Sequence, residues 1–370
     1  MSVETLSLEA LLATIQPDAH AIAEGRRRMI DVWHGRPTDS LPLCFGAVPP
    51  QGVMPNTDMR RHVNDPDQML YDTAVGLAAT ARAGSDAQLA LRVNTGTGTL
   101  ATAAGCGQLP SDHGLPWTEH ITRAQIDAFD PDTNLATLGL LPQLKAWYAR
   151  FRAQLPTCVG FFCADTQGPF ALAHLLYGDD IFYDVYDDPG FVHALLEKTT
   201  ALYINATRLM KEWIGEPLDG GLHFSFALAN GGVRACEDTS TLLAPNTIDT
   251  FVLPYQARAL APFGGGFIHY CGNHDALYRG CVDNPWVRGL NFGNPERHDF
   301  SVILPELIAR GKCYAGEINR LDDESLDAYF RRVVGYTQGA KRGLILTPVL
   351  HPDETADPAR VLDTWRGVQE

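Results

Sequence analysis

The run His269-Tyr270-Cys271-Gly272 sets an imidazole and a thiol two residues apart. On a strand, residues i and i+2 share a face, so the two side chains would converge on one side. Nitrogen and sulfur donors placed in this way suit zinc, which binds them tetrahedrally and, in catalytic sites, adds a third protein ligand and leaves one position open. A hydrogen-bonded core histidine beside a buried cysteine is the other reading of the same residues. Polar residues of catalytic type also recur near the ends of short apolar runs. They are Arg92 and Asn94, Asp165 and Gln167, His223 and Ser225, Asn273, Asn291 and Asn294, Glu317 and Asn319, and His351 with Asp353.

Such residues need elements to hold them. Eight apolar or alternating runs bounded by Gly, Pro, Asn or Asp read as strands, over 41–48, 87–94, 157–165, 221–227, 266–271, 287–292, 312–319 and 343–350. Helical spacing lies between and after them, over 66–83, 138–154, 189–214, 239–260, 275–281, 300–310, 322–339 and 357–368. A strand followed by a helix, eight times over, predicts an α/β fold, a (β/α)8 TIM barrel, with a doubly wound open sheet as its rival. Residues 1–40 read as an N-terminal helical extension of two helices broken at Pro17, and 41–370 as the barrel. In a barrel the chemistry collects at the carboxyl ends of the strands, where the polar residues above fall.

Composition narrows the partners. Lys and Arg total 29 against 44 for Asp and Glu, a net charge of −15 that repels phosphate backbones and argues against nucleic acid. Apolar residues at 45% and charged residues at 20% are enough for a large core. The opening MSVETLSLEALLATIQPDAH carries acids where a secretory signal needs bases, and no uninterrupted apolar stretch is long enough to span a bilayer, so a cytoplasmic chain away from membranes is expected. The eight cysteines, at 44, 106, 158, 163, 236, 271, 281 and 313, then read as reduced thiols, most of them small buried groups.

Four segments carry a resemblance: DTQGPFALAHLLYGDDIFYDVYDDPGFVHALLEKTT from Asp165, EDTSTLLAPNTIDTFVLPYQARAL from Glu237, GGFIHYCGN from Gly265, and the closing GLILTPVLHPDET. Through them the chain resembles the uroporphyrinogen decarboxylase superfamily, and within it the zinc-dependent methylcobamide:coenzyme M methyltransferase branch. The resemblance implies a (β/α)8 barrel and a zinc site on His269 and Cys271 that activates a thiol to take a methyl group from a corrinoid, methylcobalamin held on a partner protein. It also implies pairing into a homodimer. The branch's third ligand, a cysteine, would fall near Val349 or Leu350; here His351 stands just beyond and could fill that role, with Cys313 or Glu317 in reserve. The decarboxylase branch carries an RQAGRY loop after the first strand, where this chain reads FGAVPPQGVMPNTDMRRHV with Arg60 and Arg61 as its basic pair. That loop and the acidic charge argue against a polycarboxylate porphyrinogen.

The remaining candidates each have two readings. Asp238 matches an acidic position of the family and could act as acid or base, or could cap the following helix. Asp165 and Gln167 could contact substrate or close the turn before Gly168-Pro169. His223 could be catalytic or a satisfied structural histidine, while Arg92, Asn94, Gln167, Asn273, Asn291 and Glu317 form the substrate-binding set. NTGTGTLATAAGCG after Asn94 loosely imitates a dinucleotide fingerprint but opens no clear βαβ unit. Two further functions stay open: a metal-free decarboxylase or lyase of a smaller acid, using Asp165, Asp238, Arg92 or His223, and a non-catalytic binding barrel.

Overall fold

A computed structural model describes residues 6–53, 58–111 and 114–370; residues 54–57 of the expected arginine-loop region lie outside the described residues. The chain is a mixed α/β protein. Its strands are β1 (Ala90–Leu91), β2 (Gly107–Leu109), β3 (Trp117–Glu119), β4 (Gly160–Phe161), β5 (Gly221–His223), β6 (Phe226–Leu228), β7 (Val233–Cys236), β8 (Gly266–Tyr270), β9 (Val287–Phe292), β10 (Cys313–Glu317) and β11 (Leu344–Thr347). Strands β7 to β11 form one parallel sheet in sequence order. Their residues are buried almost throughout, as expected of a parallel sheet covered on both faces.

Shorter pairings continue the ladder beyond both edges of that sheet. Leu43 bridges Leu346 of β11, β1 pairs in parallel with β4, and Gln167 bridges Cys236 of β7. Between the first two of these segments, Asp86 donates its backbone N–H to Leu43 (3.0 Å), while Ser85 Oγ donates to the Phe45 carbonyl (2.8 Å).

The helices follow local chemistry. Pro66–Ala83 starts with the Asp65 side chain accepting from Asp67 and Gln68, has Pro66 in its first turn, and stops at Gly84 with φ 61°. Pro189–Ile214 starts on Asp188 and stops at Gly215, φ 77°. Before the first strand stand Leu8–Ala13 and Ala19–Trp33. The second of these inserts Met29, Val32 and Trp33 into a core cluster with Cys44, Phe226, Phe267, Cys313 and Ile345. No described helix is long and apolar enough to cross a membrane.

Several elements depart from expectation: 41–48 forms only a bridge at Leu43, and 239–260 is split into a 3-10 turn, Asp238–Leu242, and the helices Pro245–Phe251 and Leu253–Leu260. The run 221–227 is not a strand of the parallel sheet: β5 and β6 fold back on each other as an antiparallel hairpin, with His223 opposite Phe226 and Phe224-Ser225 at the tip. The parallel strand in this part of the chain is β7, a four-residue strand that begins directly after Gly231-Gly232. The residues after Asn94 also form no nucleotide-binding unit, running instead through a short 3-10 turn at Ala101–Ala104 into the hairpin of β2 and β3.

Candidate functional site

The carboxyl end of β8 carries His269, and Cys271 follows directly. In register, His269 lies between Cys236 of β7 and Asn291 of β9. The imidazole is fixed from one side: Asn291 Oδ1 is 2.5 Å from His269 Nδ1, and Asn291 Nδ2 donates to the Ala315 carbonyl at 2.6 Å. That second bond orients the amide, so Oδ1 accepts the Nδ1 proton and Nε2 keeps its lone pair. Nε2 lies 3.8 Å from Cys271 Sγ and 3.7 Å from Asp238 Oδ1. Cys236, Asp238 and His269 bring one donor atom each within 4.8 Å of one another.

Asp238 also positions its neighbours, since its Oδ1 accepts the Cys271 backbone N–H at 2.6 Å. It opens a 3-10 turn, Asp238–Leu242, and its side chain caps neither that turn nor the helix Pro245–Phe251. Close approach is secured by glycine. A Cβ on Gly293 would stand 2.4 Å from Cys271 Sγ, and one on Gly316 would stand 2.2 Å from Asn291 Nδ2.

Electrostatics agree with a donor cluster. Burial, and then the charge of Arg234, push His269 below its ordinary value, so the imidazole is neutral at pH 7. The Cys271 thiol is pushed up to about 11 by burial and by Asp238, and burial drives Cys236 up as well. Thiols so placed stay protonated and unreactive unless a coordinating cation removes the proton. Glu237, wholly buried with its side chain against Gly168, is raised to about 8 by burial, and one of its oxygens takes the Ser240 hydroxyl at 2.8 Å.

A second polar group adjoins the first. Asp165 receives Gln167 Nε2 at 2.8 Å, Arg234 at 3.2 Å and Arg92 at 3.6 Å. His223 is buried among the rings of Phe162, Phe224 and Phe267, with its Nε2 unpartnered. Burial, reinforced by Arg234 and Arg92, holds it well below its usual value and therefore neutral. It sits on the hairpin rather than at the carboxyl end of a parallel strand.

The chain is similar to the solved structure of a methyltransferase from Methanosarcina mazei. The TM-score is 0.67 at 14% identity, and the match covers 94% of this chain and 99% of that one. At such identity the likeness is one of fold. No protein-family profile and no curated protein sequence matches the chain.

The other expected residues lie apart. Cys313 begins β10 opposite Gly289, wholly buried in the cluster with Trp33, so it stands at the far end of the strand from His269. His351 is exposed and starts the helix Pro352–Thr355, its backbone N–H bonded to Glu354. Neither belongs to the three-donor group. Glu317, at the end of β10, is exposed at the rim, and burial followed by Glu296 raises its carboxyl. Asn273 is exposed and bonds the Arg297 carbonyl; Asn94, after β1, accepts from Gly96.

Cys236 and Arg234 join the site from outside the expected set. The signal was present: in Val-Arg-Ala-Cys-Glu-Asp, positions 234, 236 and 238 alternate as on one strand face.

Proposed function

We propose that this chain is a zinc-dependent methyltransferase that moves a methyl group between a corrinoid and a thiol or similar acceptor. The observation that carries the reading is His269, anchored through Nδ1 on Asn291 with Nε2 turned toward Cys271 and Asp238. A ring nitrogen bonded to an outer carbonyl oxygen while the other faces further metal donors is the usual arrangement of a zinc-bound histidine. His269 and Cys271 would hold the metal, with Cys236 or Asp238 completing the set in place of His351 and Cys313. Nitrogen, sulfur and carboxylate donors fit zinc, and bound there it would supply Lewis acidity that lowers the pKa of an acceptor thiol.

The chain's own residues do the rest. Asn291 holds one tautomer, Asp238 fixes the Cys271 backbone, and burial keeps His269 neutral and free to bind. The same reading takes the parallel sheet and its edge pairings as a closed (β/α)8 barrel, whose strand carboxyl ends open on this cluster. A corrinoid protein would be the methyl donor, and a homodimer the working assembly.

The test combines metal content with turnover. Purified protein should hold close to one equivalent of zinc, lose it in His269→Ala and Cys271→Ala, and methylate a thiol from methylcobalamin only when loaded. Less than about a tenth of an equivalent, with turnover intact in His269→Ala, would end the metal reading. Release of carbon dioxide from a small acid by metal-free protein would favour the lyase instead.

A further inference from the structure

The tip of the β5–β6 hairpin holds an aromatic side chain where turn chemistry would not choose one. Phe224 has φ 49°, in the left-handed region where Gly, Asn or Asp is ordinarily found at a two-residue hairpin turn. The residue is 51% exposed, although His223 and Phe226 beside it are 8% and 6% exposed. Three groups surround the ring: Phe162 at 5.2 Å and His223 at 4.7 Å between centroids, and the Arg92 guanidinium at 5.2 Å. His223 in turn meets Phe267 at 5.2 Å, and Phe267 is two residues before His269 on the same strand face. His223 and Phe267 thus link the hairpin tip to the strand that carries His269.

Charge beside the ring is unbalanced. Arg92 and Arg234 share one carboxylate, Asp165, and Arg92 holds it only at 3.6 Å. Burial makes the Arg92 charge costly, lowering its pKa from the ordinary value. A guanidinium in that position, with donors to spare, matches a planar carboxylate in two-point contact. A flat apolar body on the same molecule would cover the Phe224 face that is otherwise left to water.

We propose that Phe224 and Arg92 form the floor of a binding subsite for an aryl carboxylate, its carboxylate on Arg92 and its ring against Phe224. The subsite rests on reading the His269–Cys271 cluster as the active site, and it names the substrate class that such a site would take.

Benzoate is the probe, titrated by calorimetry into the purified full-length protein, with benzamide as the uncharged analogue. Benzoate should bind, and benzamide at least about tenfold more weakly. Phe224→Gly, which relieves the backbone while removing the ring, should weaken benzoate at least about tenfold with a melting temperature equal to or above that of the parent protein. Arg92→Gln should abolish binding; where that variant fails to fold, Phe224→Gly and the benzamide comparison still decide. No benzoate binding, equal binding of benzamide, or unchanged affinity in Phe224→Gly would each overturn the subsite. The titration needs neither zinc nor a methyl donor. Benzoate binding without zinc-dependent methyl transfer would therefore defeat the proposed function and spare the subsite, and the converse would defeat the subsite alone.

Discussion

Asn291 is the residue on which the metal reading turns, because it touches no candidate metal position and yet decides which nitrogen of His269 is free. Truncating it removes the acceptor for the Nδ1 proton and lets the ring rotate and change tautomer. Outer-shell partners of this kind carry a tenfold to hundredfold effect, so Asn291→Ala should weaken zinc by about 10- to 100-fold in competition with a chromogenic chelator. Asn291→Asp, which keeps an acceptor, should retain most of the affinity. An unchanged affinity in Asn291→Ala would mean that the hydrogen bond only stabilises the core. Gly293 gives an independent handle. A methyl group there would meet Cys271 Sγ at 2.4 Å, so Gly293→Ala should displace the thiol and lower zinc content while every donor remains in the sequence.

At the scale of elements, Ala19–Trp33 is tied to the first parallel segment through one buried carboxylate. Arg28 donates to Asp86 at 2.8 Å and also grips Asp39; the other oxygen of Asp86 accepts the Leu43 N–H at 2.9 Å. Removing Arg28 leaves Asp86 charged, buried and short of a partner, so Arg28→Met should cost about 3 kcal/mol at neutral pH. The sign of its pH dependence follows from burial, which already holds Asp86 above its ordinary value against the pull of Leu43 and Arg28. A carboxyl raised in the fold loses stability as pH climbs from its unfolded value through the folded one, and the variant raises the folded value further. The deficit measured by urea unfolding should therefore be smaller at pH 4.5 than at pH 7.5. Asp39, held low by Arg28 and Arg27, titrates below that window. An equal deficit at both pH values would show that Asp86 does not titrate in the window.

The elements also show what could be read from residues alone. Pro66–Ala83 and Pro189–Ile214 agree with the periodicity to the residue, because Asp caps, first-turn prolines and terminal glycines mark both ends. His269 and Cys271 were visible as a pair for the same local reason, two residues on one strand face. The hairpin was hidden because its turn is Phe-Ser, which carries none of the Asn-Gly or Gly-X chemistry that announces a reversal. Strand β7 was hidden by its length of four residues and by Arg234 in its middle, a charge that makes sense only once Asp165 is known to face it. Cys236 then joined the cluster through register with His269, a relation between distant segments that no local pattern contains.

For the whole molecule, the question is whether the parallel ladder closes on itself. One seam joins the first segment to the last strand, where Cys44 donates to Leu346 at 2.8 Å and Leu346 to Pro42 at 2.9 Å. The C-terminal helix Pro358–Gly367 and the residues after it strap this seam. Trp365 Nε1 donates to the Leu41 carbonyl at 2.7 Å, and the Leu41 N–H donates to Gln369 Oε1 at 2.7 Å. A closed ring makes the seam open only with the body of the sheet, whereas an open sheet would let residues 41–46 fray as an edge. In hydrogen exchange, the Cys44 and Leu346 amides should then be protected within about tenfold of those in β8 and β9. Trp365 is wholly buried against Phe330, so Trp365→Ala should cost about 3–5 kcal/mol, and it should release the 41–46 amides before those of β8. Exchange of residues 41–46 within minutes in the intact protein, while β8 and β9 stay protected, would mean an open sheet. The candidate site would then lack its first wall, since the segment that carries Cys44 is the one that must stand beside β11 for the ring to enclose His269.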